Sequence, residues 1–290
     1  MTTEETAFFT DAQIDRWKAI AHGARVFEYA VARLDPPDPT SQIAQASRFV
    51  PGYPVDQWCR SFLSAAYDNL LLWADYTMPL QPAPDAQIVI RLRPALTIAR
   101  AAMESAAQAV WVLSASTARE MAQRHIRLFL WDLDEQQKAA TTPEWKKSIR
   151  DGRSASLAFL GIDETAFKAP SYLDVIRGAA TWAALVADDD RLGDSSHIER
   201  VWRSCAGAAH GKRWPVHELM KHYTRADGIT VLAPDPAVIT DALDIADAFA
   251  SVGALTLAQR SGCTDDFRSL RALAPIAYGN LGIEGDESAR

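Results

Sequence analysis

The chain has 290 residues, with 30 Lys and Arg against 37 Asp and Glu, and a formal net charge of −7 with histidines neutral. Apolar residues make up 48% and charged residues 23%; these proportions permit a sizeable buried core and argue against a disordered polymer. The negative balance argues against a protein that coats nucleic acid non-specifically, while leaving room for a local basic patch.

In chain order, proline clusters punctuate long Ala-, Leu- and Arg-rich stretches. They fall at Leu34 to Pro39, Pro51 to Pro54, Met78 to Asp85, Pro143, Pro170 and Ala233 to Pro236. The stretches between them are good helix formers. The pattern predicts helices near 11–33, 55–77, 86–116, 118–140, 143–160, 171–187, 195–210 and 236–260. Asp11 and Asp56 are expected as N-caps, and Ser195 or Ser196 as another, with Glu199 as its capping-box partner. In the second stretch Trp58, Phe62, Ala65, Ala66, Asn69, Leu70 and Trp73 form a wide helical stripe. In the third, Leu96, Ala99, Met103, Ala107 and Val110 follow the 3.6 period, and Pro94 marks a start or a kink. His222 to Leu232 reads as a short β-hairpin turning at Asp227-Gly228. The expected fold class is therefore all-α, a helical bundle with one small hairpin.

Cys59, Cys205 and Cys263 lie far apart, an odd count with neither a disulfide framework nor a zinc signature. The first 30 residues open with acids and lack the basic-then-apolar order of a signal peptide. No apolar run reaches the roughly 18 residues of a membrane span. The expectation is a cytoplasmic protein without a membrane partner, and no motif asks for a cofactor or a metal.

The sharpest local feature is VWRSCAGAAHGKRW, Val201 to Trp214. Arg203 and His210 are seven apart, about 700° of helical rotation, so both fall on one face two turns apart. The residues between them are all small, which lets a backbone or a ligand come close. Gly211 is suited to end the helix in the left-handed region. A histidine in a helix's last turn sits at the negative end of the dipole, which suits acid/base work near neutral pH. An arginine close by offers a fixed charge for a phosphate. The same residues also fit a purely structural arrangement, in which His210 caps the helix, Arg203 pairs with Glu199 and the small residues let helices pack.

Arg203-x6-His210, late in an all-helical chain, resembles the motif of HEPN domains (higher eukaryotes and prokaryotes nucleotide-binding). The earlier stretch Arg93 to Leu113 is similar to the first core helix of bacterial HEPN-like proteins. The resemblance covers roughly residues 86 to 225. It implies a metal-independent endoribonuclease of a toxin or phage-defence type, working as a homodimer on RNA or a nucleotide and leaving a 2′,3′-cyclic phosphate. Carried over, it makes His210 the general acid or base and Arg203 the group that stabilises charge on the scissile phosphate. Arg100 and Glu104 would face the motif as supporting groups. Ser204 stands where many such nucleases have Asn or Asp. The resemblance divides the chain into an N-terminal helical extension (1–85), a HEPN-like core (86–262) and a C-terminal segment (263–290) whose tail from Gly282 is expected to be disordered. A non-catalytic helical binding protein is the alternative.

Other signals carry less. Lys146 and Lys147, in the basic run beside Trp145, and Lys212 and Arg213, beside the motif, are candidate contacts for a nucleic-acid backbone. His217 and His222 fall five apart, about 500° of rotation, which spoils a zinc-binding pair on one helix. Asp188, Asp189, Asp190 and Asp194 read as an acidic loop ending in an N-cap. His125 reads as a partly buried or surface histidine, and Cys205 as a packing residue.

Overall fold

The chain is described by a computed structural model over residues 9–80, 90–161, 163, 168–187, 189–224 and 227–279. Its helices are α1 (Asp11–Val31), α2 (Gln42–Arg48), α3 (Val55–Thr77), α4 (Leu92–Leu113), α5 (Ala118–Ala139) and α6 (Pro143–Leu160). There follow α7 (Tyr172–Ala187), α8 (Asp190–Gly193), α9 (Ser195–Ala209), α10 (Trp214–Leu219), α11 (Pro236–Arg260) and α12 (Thr264–Gly279). Strands β1 (Met220–Thr224) and β2 (Thr230–Pro234) pair antiparallel, with His222 opposite Leu232. The architecture is an all-α bundle with a short hairpin. No helix among the described residues is long and apolar enough to cross a membrane.

The helix ends show where local chemistry differs from the expected caps. Thr10, not Asp11, caps α1, in a capping box with Gln13: each side chain accepts from the other's backbone N–H, at 3.2 and 3.0 Å. Pro54 precedes α3, so Asp56 lies inside the first turn as a dipole partner rather than a cap. Asp194 caps α9 in place of Ser195 or Ser196; its carboxylate accepts from the N–H groups of Ser196 and His197 at 3.0 and 3.1 Å. α4 starts at Leu92, two residues before Pro94, in the first turn where proline is tolerated. Residues 86–89 of the expected helix, and the tail from Gly282, lie outside the described residues.

α4 is the hub. It packs against α3, α5, α7, α9 and α11. Alanines at 95, 99, 102, 106, 107 and 109 are buried along it, with Leu96, Met103 and Val110. Small side chains bring neighbouring helix axes close on several sides at once. α11 is apolar nearly all round, as a helix enclosed by others has to be. At Gly253 an added Cβ would come within 2.7 Å of Leu63 and 3.3 Å of Val110. α1 and α3 share one hydrophobic cluster with α4 and α11, so residues expected as an N-terminal extension contribute directly to the core.

The stripe expected on α3 is rotated. Its buried face carries Cys59, Leu63, Ala66, Tyr67, Leu70, Trp73 and Ala74. Trp58 and Phe62 are half-buried to one side. There Trp58 stacks edge-on against His125 and Phe129 of α5, with centroids 5.2 and 5.7 Å apart. His125 is itself fully buried, donating from Nε2 to the Tyr53 carbonyl at 3.1 Å, with no partner for Nδ1 among the described residues. Burial drives its pKa down to about 4.

Two outcomes follow. The folded pKa of His125 lies below its unfolded value of 6.5, so its neutral form supports folding above pH 6.5 and that support is lost as pH falls toward 4. Urea titration at pH 7 and pH 4 is expected to show a loss of about 3 kcal/mol from this group. His125→Gln, which keeps an N–H donor without titrating, flattens that part of the profile. Gly253→Ala lowers stability by about 1–3 kcal/mol through overpacking, reversing the gain of about 1 kcal/mol that helix propensity alone assigns to Ala; the urea midpoint reads the sign.

Candidate functional site

α9 has a small-residue face and an exposed polar face. Ser204, Cys205, Gly207 and Ala208 are buried, and α9 packs against α4, α7, α10 and α11. The tightest approach is at Gly207, where an added Cβ would lie 2.8 Å from Pro215 and 3.1 Å from Trp214. The small residues of the motif therefore admit α10, not a ligand. Burial pushes the Cys205 thiol up to about 12, which removes it as a nucleophile at neutral pH.

The end of α9 is a Schellman turn. Gly211 adopts φ 66°, its N–H donates to the Ala208 carbonyl at 3.1 Å, and the Lys212 N–H donates to the Gly207 carbonyl at 2.9 Å. His210 is thereby the C-cap residue, exposed at the helix end. Lys212 and Arg213 follow it, also exposed.

Two residues of α4 meet α9, one at this end and one further back. Arg100 Nη1 lies 3.2 Å from His210 Nε2. Arginine carries donors only, so the imidazole accepts here, with its proton on Nδ1. Arg100 Nε donates to Glu104 Oε1 at 2.8 Å, one helical turn on. The same carboxylate oxygen accepts from Trp202 Nε1 at 2.7 Å. Contacts pair Arg100 with His210 and Glu104 with Trp202, so α4 and α9 run antiparallel along this seam. Tyr172, at the start of α7, lies within the electrostatic reach of both charged groups. Burial raises its hydroxyl pKa, the Glu104 carboxylate adds to that, and Arg100 opposes it.

Arg203 belongs to a neighbouring cluster. Its Nε and Nη2 each donate to Glu199 Oε1 at 2.7 Å, while Arg177 of α7 binds the other oxygen. The hydrogen bonds from Arg203, then Arg177, hold the Glu199 carboxyl below its ordinary range. Ser204 is buried, its hydroxyl donating to the Arg200 carbonyl at 2.9 Å. The expected pairing of Arg203 with Glu199 and the expected capping by His210 are both present. Of the supporting residues, the structure brings Arg100 to His210, holds Glu104 against Arg100 and Trp202, and turns Ser204 inward.

The remaining candidates are dispersed. Lys146 and Lys147 are exposed on α6, which packs on α5, and Lys147 pairs with Asp151 at 2.6 Å. His217 lies on α10 and His222 on β1, so they share no helix face. No group of three or more His, Cys, Asp or Glu among the described residues is disposed to hold a metal.

Sequence reasoning missed a concavity at the other end of α9. A cavity of about 60 Å³ is lined by Arg16, Asp189, Leu192, His197, Asp241 and Asp244, among others. His197 Nε2 lies 3.0 Å from Asp241 Oδ1; Arg16 binds Asp244, and Asp247 at 3.3 Å. The carboxylates there outnumber the cations, which disfavours a phosphate. Only the i, i+3, i+6 spacing of Asp241, Asp244 and Asp247 could have hinted at it. Tyr172 and Arg177 were missed as well, because nothing local in α7 marks them.

Comparison with protein-family models, curated proteins and solved structures finds no match for this chain.

Glu104 is the joint of the seam. Glu104→Ala leaves the Trp202 N–H and the Arg100 Nε without their acceptor, with an expected loss of about 1–3 kcal/mol in urea unfolding. Glu104→Gln, which keeps an oxygen at that position, is expected to recover part of it.

Proposed function

We propose that the protein acts on RNA or a nucleotide at the seam of α4 and α9, with Arg100 and His210 as the working pair. The observation that carries this reading is the 3.2 Å approach of Arg100 Nη1 to His210 Nε2 at an exposed helix end. A guanidinium anchored by Glu104 is a suitable partner for a phosphate oxygen. When Arg100 turns to a phosphate, the His210 Nε2 lone pair is released to take a proton. In a ribonuclease step that proton comes from a ribose 2′-hydroxyl. The 2′ oxygen then bonds to phosphorus, the bond to the 5′ oxygen breaks, and the departing oxygen takes a proton from water, the hydroxide so formed being neutralised by the proton that His210 carries. No metal enters. Lys212 and Arg213 extend the positive surface beyond His210. The resemblance of Arg203-x6-His210 to HEPN domains supports the same chemistry, and with it a cytoplasmic homodimer whose motifs face each other.

A second reading, a non-catalytic helical binding protein, is favoured by a separate observation. Arg203 is engaged by Glu199, which Arg177 shares, so the guanidinium that the motif offers to phosphate already has an anion.

The experiment is incubation of wild type, His210→Ala and Arg100→Ala with tRNA and with generic RNA in the presence of chelator. On the catalytic reading wild type cleaves, and His210→Ala falls by about a hundredfold or more. Equal background cleavage by wild type and His210→Ala overturns it. Retained RNA binding in a filter assay without cleavage selects the second reading.

A further inference from the structure

We infer that Tyr172, seated against Trp131, is the stacking platform for an unpaired nucleobase whose phosphate lies on Arg100 and His210. This rests on the reading of the α4–α9 seam as an RNA or nucleotide site, and it adds the part of the ligand that the seam itself does not recognise.

The Tyr172 ring packs edge-on against Trp131 of α5, with centroids 4.5 Å apart and planes at 61°. Trp131 is held in turn, packed against the hydrophobic core. The ring is thus backed by a fixed aromatic, yet Tyr172 is 37% exposed. A supported, exposed aromatic stacks a base at little entropic cost.

Its position fits the phosphate pair. α7 packs against both α4 and α9, and Arg177, five residues after Tyr172, reaches Glu199 of α9. Arg100 and Glu104 both act on the Tyr172 hydroxyl, in keeping with the packing of α7 on α4. Trp202, also near the seam, is engaged with Glu104, whereas Trp214 packs beside Gly207 and remains 39% exposed.

Charge sets the ligand's direction. Asp132 and Glu135 also act on Tyr172, so a phosphate is repelled from that side and drawn to Arg100, Lys212 and Arg213. The amino groups of a base are welcome among carboxylates. A base inside a duplex has both faces covered, so the ligand is a nucleotide or an unpaired stretch of RNA.

The test is calorimetric titration of the full chain with adenosine 5′-monophosphate and with ribose 5-phosphate, for wild type, Tyr172→Ala, Tyr172→Phe and Arg100→Ala. Wild type is expected to bind the nucleotide about tenfold or more tightly than the sugar phosphate. Tyr172→Ala removes that difference and leaves the sugar phosphate affinity unchanged, while Tyr172→Phe retains it. Arg100→Ala weakens both ligands. Equal affinities in wild type, or an unchanged difference in Tyr172→Ala, overturn the platform while leaving the phosphate site standing. No binding of either ligand by wild type overturns the reading of the seam and the platform with it. Circular dichroism of each variant confirms that it is folded.

Discussion

The structure depends on enclosing α4. Five helices press on it, and its alanines let them approach closely on several sides. A helix enclosed in this way has little room for polar side chains, because each buried charge has to be paired or reach water. Arg100 and Glu104 meet that demand together: they are one turn apart, bound to each other, and placed where the α9 seam opens to solvent. The seam's chemistry therefore follows from its packing. Glu104 is both the internal partner of a half-buried arginine and the acceptor for an indole of the facing helix.

The positive charge at this edge is organised by two carboxylates. Glu104 holds Arg100 and Trp202; Glu199 holds Arg203 and Arg177. Each glutamate fixes side chains that would otherwise sample many rotamers, and Glu199, shared by two arginines, leaves one positive charge uncompensated. A guanidinium pinned by one carboxylate still has unused donors. Arg203 offers fewer of them than its place in the motif suggests, since two of its nitrogens face one Glu199 oxygen. Arg100 differs, because its second contact is to an imidazole rather than to a second carboxylate.

The helical class, most helix spans and the hairpin at Asp227-Gly228 were legible in the sequence, since proline punctuation and the 3.6 period are local signals. The α4 stripe was legible because its apolar positions face the core on several sides and the phase hardly matters. The α3 stripe was misphased for the opposite reason: Trp58 and Phe62 are large and apolar yet turn sideways to α5, and only the position of His125 explains why. Caps were misassigned by one residue at α1 and α9 because Thr10 and Asp194 compete with adjacent polar residues of similar propensity. α10 and α12 lack strong periodicity and went unread. The motif's partners were not legible: that Arg203 would find Arg177 beside Glu199, and that Arg100 would find His210, are facts of long-range packing.

α9 links two chemically opposite ends. At its start Asp194 caps the first turn, and His197 meets Asp241 beside a cavity rich in aspartate. At its close His210 meets Arg100, and Lys212 and Arg213 follow in the chain, both exposed. Fifteen residues at 1.5 Å each put these ends about 22 Å apart, more than two Debye lengths at physiological salt. Screening therefore lets each end keep its own sign despite the chain's net charge of −7. An anion approaching the protein is disfavoured by the aspartates of α11 and attracted at the far end of α9, where positive side chains stand beside an aromatic edge. This segregation makes the seam the end of α9 better suited to an anion, while the cavity at the other end is lined by carboxylates that repel one.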